Sequence, residues 1–273
     1  MEKLFHLKRK IIRNSQILFL LLTYFTFSFV TLALWEHKGI NQVTGDEPHY
    51  LVMSNGIAKY KTFEQTKPYK EEFNTRRIYA PGLALKDENP SPKNTHALLG
   101  QNGLFNVHNI GLPLLLAIPF AIGGVIGAKV FMIVVGGLII FNFWDFASQY
   151  CNNKNIICAI LLPLTISQPI LFSSNQIYPE LVAALLTILT INMLTKYRDS
   201  NPLNNKDSTI IFFYSKFFTL VAIEICSYIF ISVWLFKLAI SFYPKGFKTV
   251  QKNNIMCSDF RNNINVLQSF CIQ

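Results

Sequence analysis

The sequence predicts an all-α fold: a polytopic helical membrane protein with a long first extracytoplasmic loop. The 273-residue chain is 51% hydrophobic and has a mean hydropathy of +0.31. Only 15% of its residues are charged, whereas a soluble domain contains about 25%. The apolar residues also gather in blocks of about 20, which is the length of a helix that crosses a bilayer.

The first membrane helix is predicted at 15–35, after a basic cytoplasmic tail at 1–14. Its apolar core is longer than that of a signal peptide, and no small-residue cleavage site follows it. We therefore expect a retained anchor, with Trp35 at the membrane interface. The polar stretch at 36–110 forms the long loop.

The rest of the chain is predicted to return to the membrane several times. The segment 111–124 is too short to span comfortably and contains prolines and glycines, so we expect an interfacial or re-entrant helix. Three membrane helices are predicted within 125–195, and the prolines of the second should kink it. A cytoplasmic loop at 196–208, one or two further membrane segments at 209–243 and a basic, unpatterned tail at 244–273 complete the prediction.

Two glycines lie near the start of the first of these three helices. Gly123 and Gly127 have the four-residue spacing that lets two membrane helices approach closely. The alternative is that they form a flexible turn.

The basic residues indicate the orientation of the chain. The formal net charge is +10, and lysines and arginines cluster before the first span and again after the span at 179–195. Such clusters are typical of the cytoplasmic flanks of membrane helices. We therefore expect a multi-pass protein of the cell membrane with a cytoplasmic N-terminus. No basic stripe with interleaved aromatic residues lies on a soluble domain, so nucleic acid is not expected as a partner.

Cysteine and histidine residues form no recognisable metal motif. The five cysteines are odd in number and lack a C-x-x-C pair, which argues against a disulfide framework and a cysteine zinc site. His49, His96 and His108 share the polar loop with Asp46. A divalent cation bound through Asp46 and His49 stays open, because their i, i+3 spacing fits one face of a helix. Ordinary surface histidines are favoured, and no metal is assigned.

The strongest indication of chemistry is the stretch GDEPHY at 45–50, which begins the long loop. Pro48 suits the first turn of a helix, where the helix dipole favours the negative charges of Asp46 and Glu47. Two carboxylates just beyond a membrane surface are well placed to activate an acceptor hydroxyl. The alternative is that both cap a surface helix.

Three further residues are candidates by their chemical type. Glu180 begins a predicted span, where a carboxylate either caps the helix or faces a cavity. Arg76 and Arg77 could bind phosphate, because a guanidinium binds phosphate oxygens in pairs. A solvated pair on the loop is the alternative.

Three motifs resemble those of GT-C membrane glycosyltransferases, and most closely the branch that contains bacterial relatives of protein O-mannosyltransferases and the lipid A aminoarabinose transferase. They are GDEPHYL at 45–51, HNIGLPLL at 108–115 and QIYPE at 176–180. The motifs occur in the family's order, and the resemblance covers about residues 10–196.

The resemblance implies transfer of a sugar from a polyprenyl-phosphate donor, held among the membrane lipids, to a lipid, glycan or protein acceptor on the outer face. Asp46 would deprotonate or orient the acceptor hydroxyl, which attacks the anomeric carbon with inversion. Glu47 would belong to the same catalytic site. The substrate-binding residues suggested by the resemblance or by residue type are His49, Tyr50, Arg76, Arg77, His108, Tyr178 and Glu180.

The chain departs from this family in its C-terminal part, because family members continue through several more spans. We therefore expect either an active glycosyltransferase or a truncated, inactive copy. A non-enzymatic membrane protein, such as a small transporter or an assembly subunit, is the alternative. A transporter would place ionisable residues within matching spans, whereas the carboxylates here gather at one membrane surface, which favours the enzyme.

Overall fold

The computed structural model describes residues 15–79 and 89–198. This part of the chain is mostly helical, as predicted, and also contains one short β-hairpin that the all-α prediction lacks. The remaining predictions lie wholly or largely outside the described residues: those for 1–14, 196–208, 209–243 and 244–273.

Seven α-helices and two strands follow one another in the described residues. They are α1 (Ser15–His37), α2 (Glu47–Asn55), α3 (Thr66–Thr75), β1 (Ala97–Gly100), β2 (Gly103–Asn106), α4 (Gly111–Tyr150), α5 (Lys154–Thr165), α6 (Gln168–Leu171) and α7 (Pro179–Arg198). A π-helical turn, Gly56–Tyr60, continues α2, and a 3-10 turn, Ser173–Asn175, follows α6.

Within the described residues, α1 and α4 are long and apolar enough to cross a membrane, which is compatible with a membrane protein. The segments Lys154–Thr165 and Gln168–Asn175 meet at a bend of 62° and would make a third crossing if they form one span. The bend lies between Pro163 and Pro169, the prolines predicted to kink this segment. The last helix carries a shorter apolar stretch, Pro179–Met193. The full number of crossings stays a prediction.

The long helix α4 is broken near its start at Gly124, whose φ of 57° and ψ of −142° are not helical. Glycine adopts such a conformation because it has no Cβ. Across the break, a Cβ at position 127 would collide with the carbonyl of Pro119, whereas one at position 123 would meet open space. Gly127 therefore lets the two parts of α4 meet at the break. The interpretation that Gly123 and Gly127 bring two separate helices together stays a prediction.

Two separate helices, α1 and the middle of α4, approach each other closely. The buried side of α1 is a stripe with spacings of three and four residues: Ile17, Leu20, Tyr24, Ser28 and Leu32. The Tyr24 hydroxyl donates to the Ile133 carbonyl over 2.9 Å. A Cβ at Gly136 or Gly137 would collide with the ring of Tyr24 or Phe25. The opposite side of α1 exposes leucine and phenylalanine side chains, which lipid would cover.

The described parts of the long loop, 36–79 and 89–110, form short helices and the β-hairpin. The first helix of the loop, α2, contacts α4, and all residues of α2 from Glu47 to Ser54 are buried. The chain after α3 is held by Glu72, whose carboxylate accepts from the backbone N–H of Ile78 over 2.7 Å and of Tyr79 over 2.9 Å. Burial raises the pKa of the Glu72 carboxyl. These contacts bring the Tyr79 side chain against α2.

Candidate functional site

The start of α2 is tied to the start of α7 by a buried carboxylate. Glu47 Oε1 accepts from the backbone N–H of Ile177 over 2.6 Å, and Oε2 accepts from that of Thr44 over 2.9 Å. The Tyr178 hydroxyl lies 3.4 Å from the Thr44 carbonyl. Gly45 has a φ of 59°, and a Cβ there would lie 2.8 Å from the Tyr178 oxygen, so this contact requires glycine. Two of the three sequence motifs thus meet in space.

Asp46 stands at the N-cap position of α2, but its side chain makes no capping hydrogen bond. The interpretation of Asp46 as a helix cap is therefore wrong for this carboxylate. Its side chain is 47% exposed, and Oδ1 lies 3.6 Å from His96 Nδ1 and 3.7 Å from His108 Nε2. Because His108 belongs to the remaining motif, all three motifs converge around Asp46.

The β-hairpin explains how two histidines that are twelve positions apart come together. Strands β1 and β2 are antiparallel, with Ala97 opposite Asn106. The Val107 N–H donates to the His96 carbonyl over 3.0 Å and extends this register by one residue. His96 and His108 consequently leave the same end of the hairpin, and His96 Nδ1 lies 3.3 Å from His108 Nε2.

Asp46, His96 and His108 form the group in the described residues that could hold a metal ion, since their ligand atoms all lie within 4.8 Å of one another. We call these three residues the Asp–His–His cluster. The sequence leaves open a cation bound through Asp46 and His49 but favours ordinary surface or interfacial roles for all three histidines, His96 included. The hairpin signal that could have pointed to His96 is the turn sequence QNG at 101–103 between apolar residues.

His49 lies behind the Asp–His–His cluster instead of joining it. Its Nδ1 is 2.6 Å from the Tyr69 hydroxyl and 3.1 Å from the Tyr79 hydroxyl. Its ring stacks on that of His96, with 3.8 Å between the ring centroids and 14° between the planes. Burial, together with the charges of the two neighbouring histidines, lowers the pKa of His49 to about 3. A neutral His49 therefore supports the ring of His96.

The predicted binding residues Tyr50, Tyr178 and Glu180 also border this region. Tyr50 is buried, and its ring centroid lies 5.0 Å from that of His108. Glu180 is an exposed residue in the first turn of α7. Burial raises the pKa of Tyr178, and the charges of Glu47, Asp46 and Glu180 raise it further. The negative charges of three carboxylates therefore all favour the neutral form of the Tyr178 phenol.

The two arginines occupy a different place. Arg76 ends α3 with a φ of 50°, and its backbone N–H donates to the Glu72 carbonyl over 2.8 Å. Arg77 lines a shallow groove of about 170 Å³ that also includes Val43. Val125 and Ile126, directly after the break in α4, also line the groove. The rest of its lining is Glu36, Asn41, Gln42 and Ile78.

Lys129 is a charged residue that the sequence reasoning overlooked. It lies in the apolar helix α4 and is only 2% exposed. Its Nζ donates to Asn41 Oδ1 over 2.5 Å, and the negative charges of Glu47 and Glu36 attract the Lys129 ammonium group. An ionisable residue within an apolar span is the signal that could have identified it, since such residues commonly mark functional sites.

Comparison of the chain with protein-family models, curated proteins and solved structures found no match. The functional interpretation therefore depends on the chemistry of the site. An accessible carboxylate and two imidazoles lie together at one end of an apolar helical bundle, and a separate groove is lined by Arg77 and Glu36. Such a site can take up a proton, bind a cation and bind an anionic group.

Proposed function

We propose that the chain is a membrane glycosyltransferase that moves a sugar from a polyprenyl-phosphate donor to a hydroxyl of a lipid, glycan or protein acceptor. The observation that carries this proposal is the meeting of three motifs that are distant in sequence. The stretches at 45–51, 108–115 and 176–180, which resemble GT-C motifs, meet at the start of α2, where His108 lies beside Asp46 and Ile177 beside Glu47. Residues that share one reaction need such proximity.

In this proposal Asp46 is the general base. Its half-exposed carboxylate accepts the proton of the acceptor hydroxyl while the hydroxyl oxygen attacks the anomeric carbon of the donor sugar. The bond between that carbon and the phosphate oxygen breaks, and polyprenyl phosphate leaves with the electron pair. The configuration at the anomeric carbon is inverted.

Glu47 has a positioning role in this proposal. Both of its carboxylate oxygens already accept from backbone N–H groups, and the residue is 2% exposed. A carboxylate so occupied is poorly placed to take a proton from a substrate. By joining α2 to α7, Glu47 instead fixes the position of Asp46 relative to Tyr178 and Glu180.

The donor phosphate would bind beside Arg77, in the groove that also contains Glu36 and Val43, the latter only three residues before Asp46. A guanidinium recognises phosphate through paired hydrogen bonds, and the apolar wall of Val125 and Ile126 suits the first isoprene units. The segment of α4 before the break exposes Ile118 and Ile122, which are 72% and 84% exposed. A lipid chain could reach the groove along this apolar surface.

The base role predicts a large and selective loss of activity in Asp46→Asn. Transfer from a polyprenyl-phosphate sugar should fall about 10²–10⁴-fold, the usual effect of removing a general base. Folding should be preserved because the Asp46 side chain makes no capping bond. The measurement is release of polyprenyl phosphate by the purified full chain.

The matched control is Asp145→Asn, the same chemical change near the opposite end of α4, which should retain activity. Transfer by Asp46→Asn at the unmodified rate would overturn the base assignment. If the unmodified chain turns over no polyprenyl-phosphate hexose or pentose, the enzyme proposal fails and a transporter or assembly subunit becomes the better interpretation.

A further inference from the structure

We infer that the Asp–His–His cluster is a binding site for one divalent transition-metal ion of the Zn²⁺ class. The ligands would be Asp46 Oδ1, His96 Nδ1 and His108 Nε2. They come from three separate parts of the chain: the start of α2 and the two ends of the β-hairpin. Both this inference and the proposed glycosyl transfer use Asp46, but ion binding is measured without donor or acceptor, so the two are tested separately.

The spacing of the ligand atoms fits a tetrahedral ion. With metal–ligand bonds of about 2.0–2.1 Å, the ligand atoms of a tetrahedral zinc site lie about 3.3–3.4 Å apart. The three distances here are 3.3 Å between the two nitrogens, and 3.6 Å and 3.7 Å from the nitrogens to Oδ1. A contraction of a few tenths of an ångström by exposed side chains would complete the geometry.

The donor set selects the class of metal. Octahedral Mg²⁺ with bonds of about 2.0–2.1 Å would need neighbouring ligands about 2.9 Å apart, which is closer than any distance in the cluster. Ca²⁺ accepts longer spacings but prefers oxygen ligands. Two imidazole nitrogens and one carboxylate oxygen suit Zn²⁺ and its neighbours in the first transition row.

The exposure of the ligands indicates an open site. The side chains of Asp46 and His96 are 47% and 53% exposed, whereas that of His108 is 11% exposed. His108 would therefore anchor the ion against the protein, and the exposed side would leave at least one coordination position for water, a hydroxyl or a phosphate oxygen. A zinc site with three protein ligands and an open position is of the catalytic type.

The inference is tested by measuring metal content and affinity of the full chain in detergent micelles, purified with a tag that contains no histidine. After removal of metal by a chelator and addition of Zn²⁺, we expect one ion per chain that excess Mg²⁺ does not displace. Co²⁺ in its place should give the strong visible absorption of a tetrahedral ion. Both readouts are independent of enzymatic activity.

The informative variants are His96→Ala and Asp46→Asn, because both side chains are exposed and their replacement should leave the fold intact. Loss of an outer-shell partner weakens metal binding about 10–100-fold. Because His96 and Asp46 would be direct ligands, each substitution should weaken Zn²⁺ binding by more than this. His37→Ala, at the exposed end of α1, is the matched control and should bind as tightly as the unmodified chain.

Two results would overturn the inference. One is Zn²⁺ content of the unmodified chain no higher than that of a variant lacking all three ligands. The other is equal affinity in the unmodified chain and in His96→Ala. Either result would leave His96 and His108 as a hydrogen-bonded pair beside Asp46.

Discussion

Asp46 and Glu47 are adjacent carboxylates whose surroundings differ sharply. Successive residues of a helix are rotated by about 100° about its axis, so one carboxylate faces the loop and the other faces the helical bundle. Glu47 is buried and accepts two backbone hydrogen bonds, whereas Asp46 is half exposed beside two imidazoles. The buried member therefore stabilises the site, and the exposed member is available to a ligand.

This division of roles predicts that Glu47→Gln mainly loses stability. A Gln side chain has one oxygen and can therefore accept from only one of the two backbone N–H groups. It also lacks the negative charge that attracts the buried Lys129. Loss of a charge-assisted hydrogen bond costs about 1.5–3 kcal/mol. We expect a lower denaturation midpoint, measured by tryptophan fluorescence in micelles.

The control for this prediction is Glu36→Gln, which removes a carboxylate charge at an exposed residue. The Glu36 charge also attracts Lys129, but its carboxylate accepts from the Asn41 side chain over 2.7 Å at the surface, a bond that Gln can still accept. The substitution should therefore cost less than about 1 kcal/mol. If both variants lose the same stability, the anchoring role of Glu47 is wrong.

Sequence reasoning found the parts of the site that local patterns reveal. Asp46 and Tyr178 were identified from short motifs at the ends of predicted helices, and the structure brings them together. His96 was missed because its place depends on the pairing register of the β-hairpin. Lys129 was missed because an isolated charge in an apolar run shows neither its depth nor its partners. The role of Glu47 depends on a contact 130 positions away, which no local pattern contains.

At the scale of elements, the packing of α1 on α4 depends on two glycines in the middle of α4. Gly136→Ala should be destabilising, because the new Cβ would overlap the Tyr24 hydroxyl. Overpacking of this kind costs about 1–3 kcal/mol. The effect should be seen as a lower denaturation midpoint.

The chain offers a matched control in Gly123→Ala, since a Cβ at that position meets open space. This variant should unfold at the same denaturant concentration as the unmodified chain. Adding Tyr24→Phe to Gly136→Ala should recover part of the loss by removing the overlapping oxygen. Equal effects of the two alanines would contradict the packing described for α1.

The sequence predicted the existence of the elements better than their contacts. Long apolar runs specify α1 and α4 because hydropathy along the chain is enough to indicate a membrane helix. The same information did not distinguish the glycines that contact α1 from those that accommodate the break at Gly124. That distinction depends on which face of α4 packs against a neighbouring helix. Because α4 is apolar on nearly all sides, its composition does not show which residues lie on that face.

At the scale of the whole molecule, the candidate site and the basic residues that end α7 lie toward opposite ends of that helix. Asp46 and Tyr178 are near the start of α7, and the basic residues Lys196 and Arg198 are at its end. Cytoplasmic loops are enriched in lysine and arginine. The arrangement therefore predicts an extracytoplasmic site, where an acceptor at the cell surface can reach Asp46.

This orientation predicts opposite labelling of the two ends of the bundle in intact cells. Single cysteines at the exposed positions Lys67 and Lys93 lie in the long loop, and one at the exposed Asn152 lies between α4 and α5. In a background without the native cysteines, a membrane-impermeant maleimide should label positions 67 and 93 before lysis. Position 152 should react only after the membrane is opened, because α4 would carry the chain across the bilayer. Labelling of position 152 alone in intact cells would reverse the orientation and place Asp46 on the cytoplasmic side, where an extracellular acceptor cannot reach it.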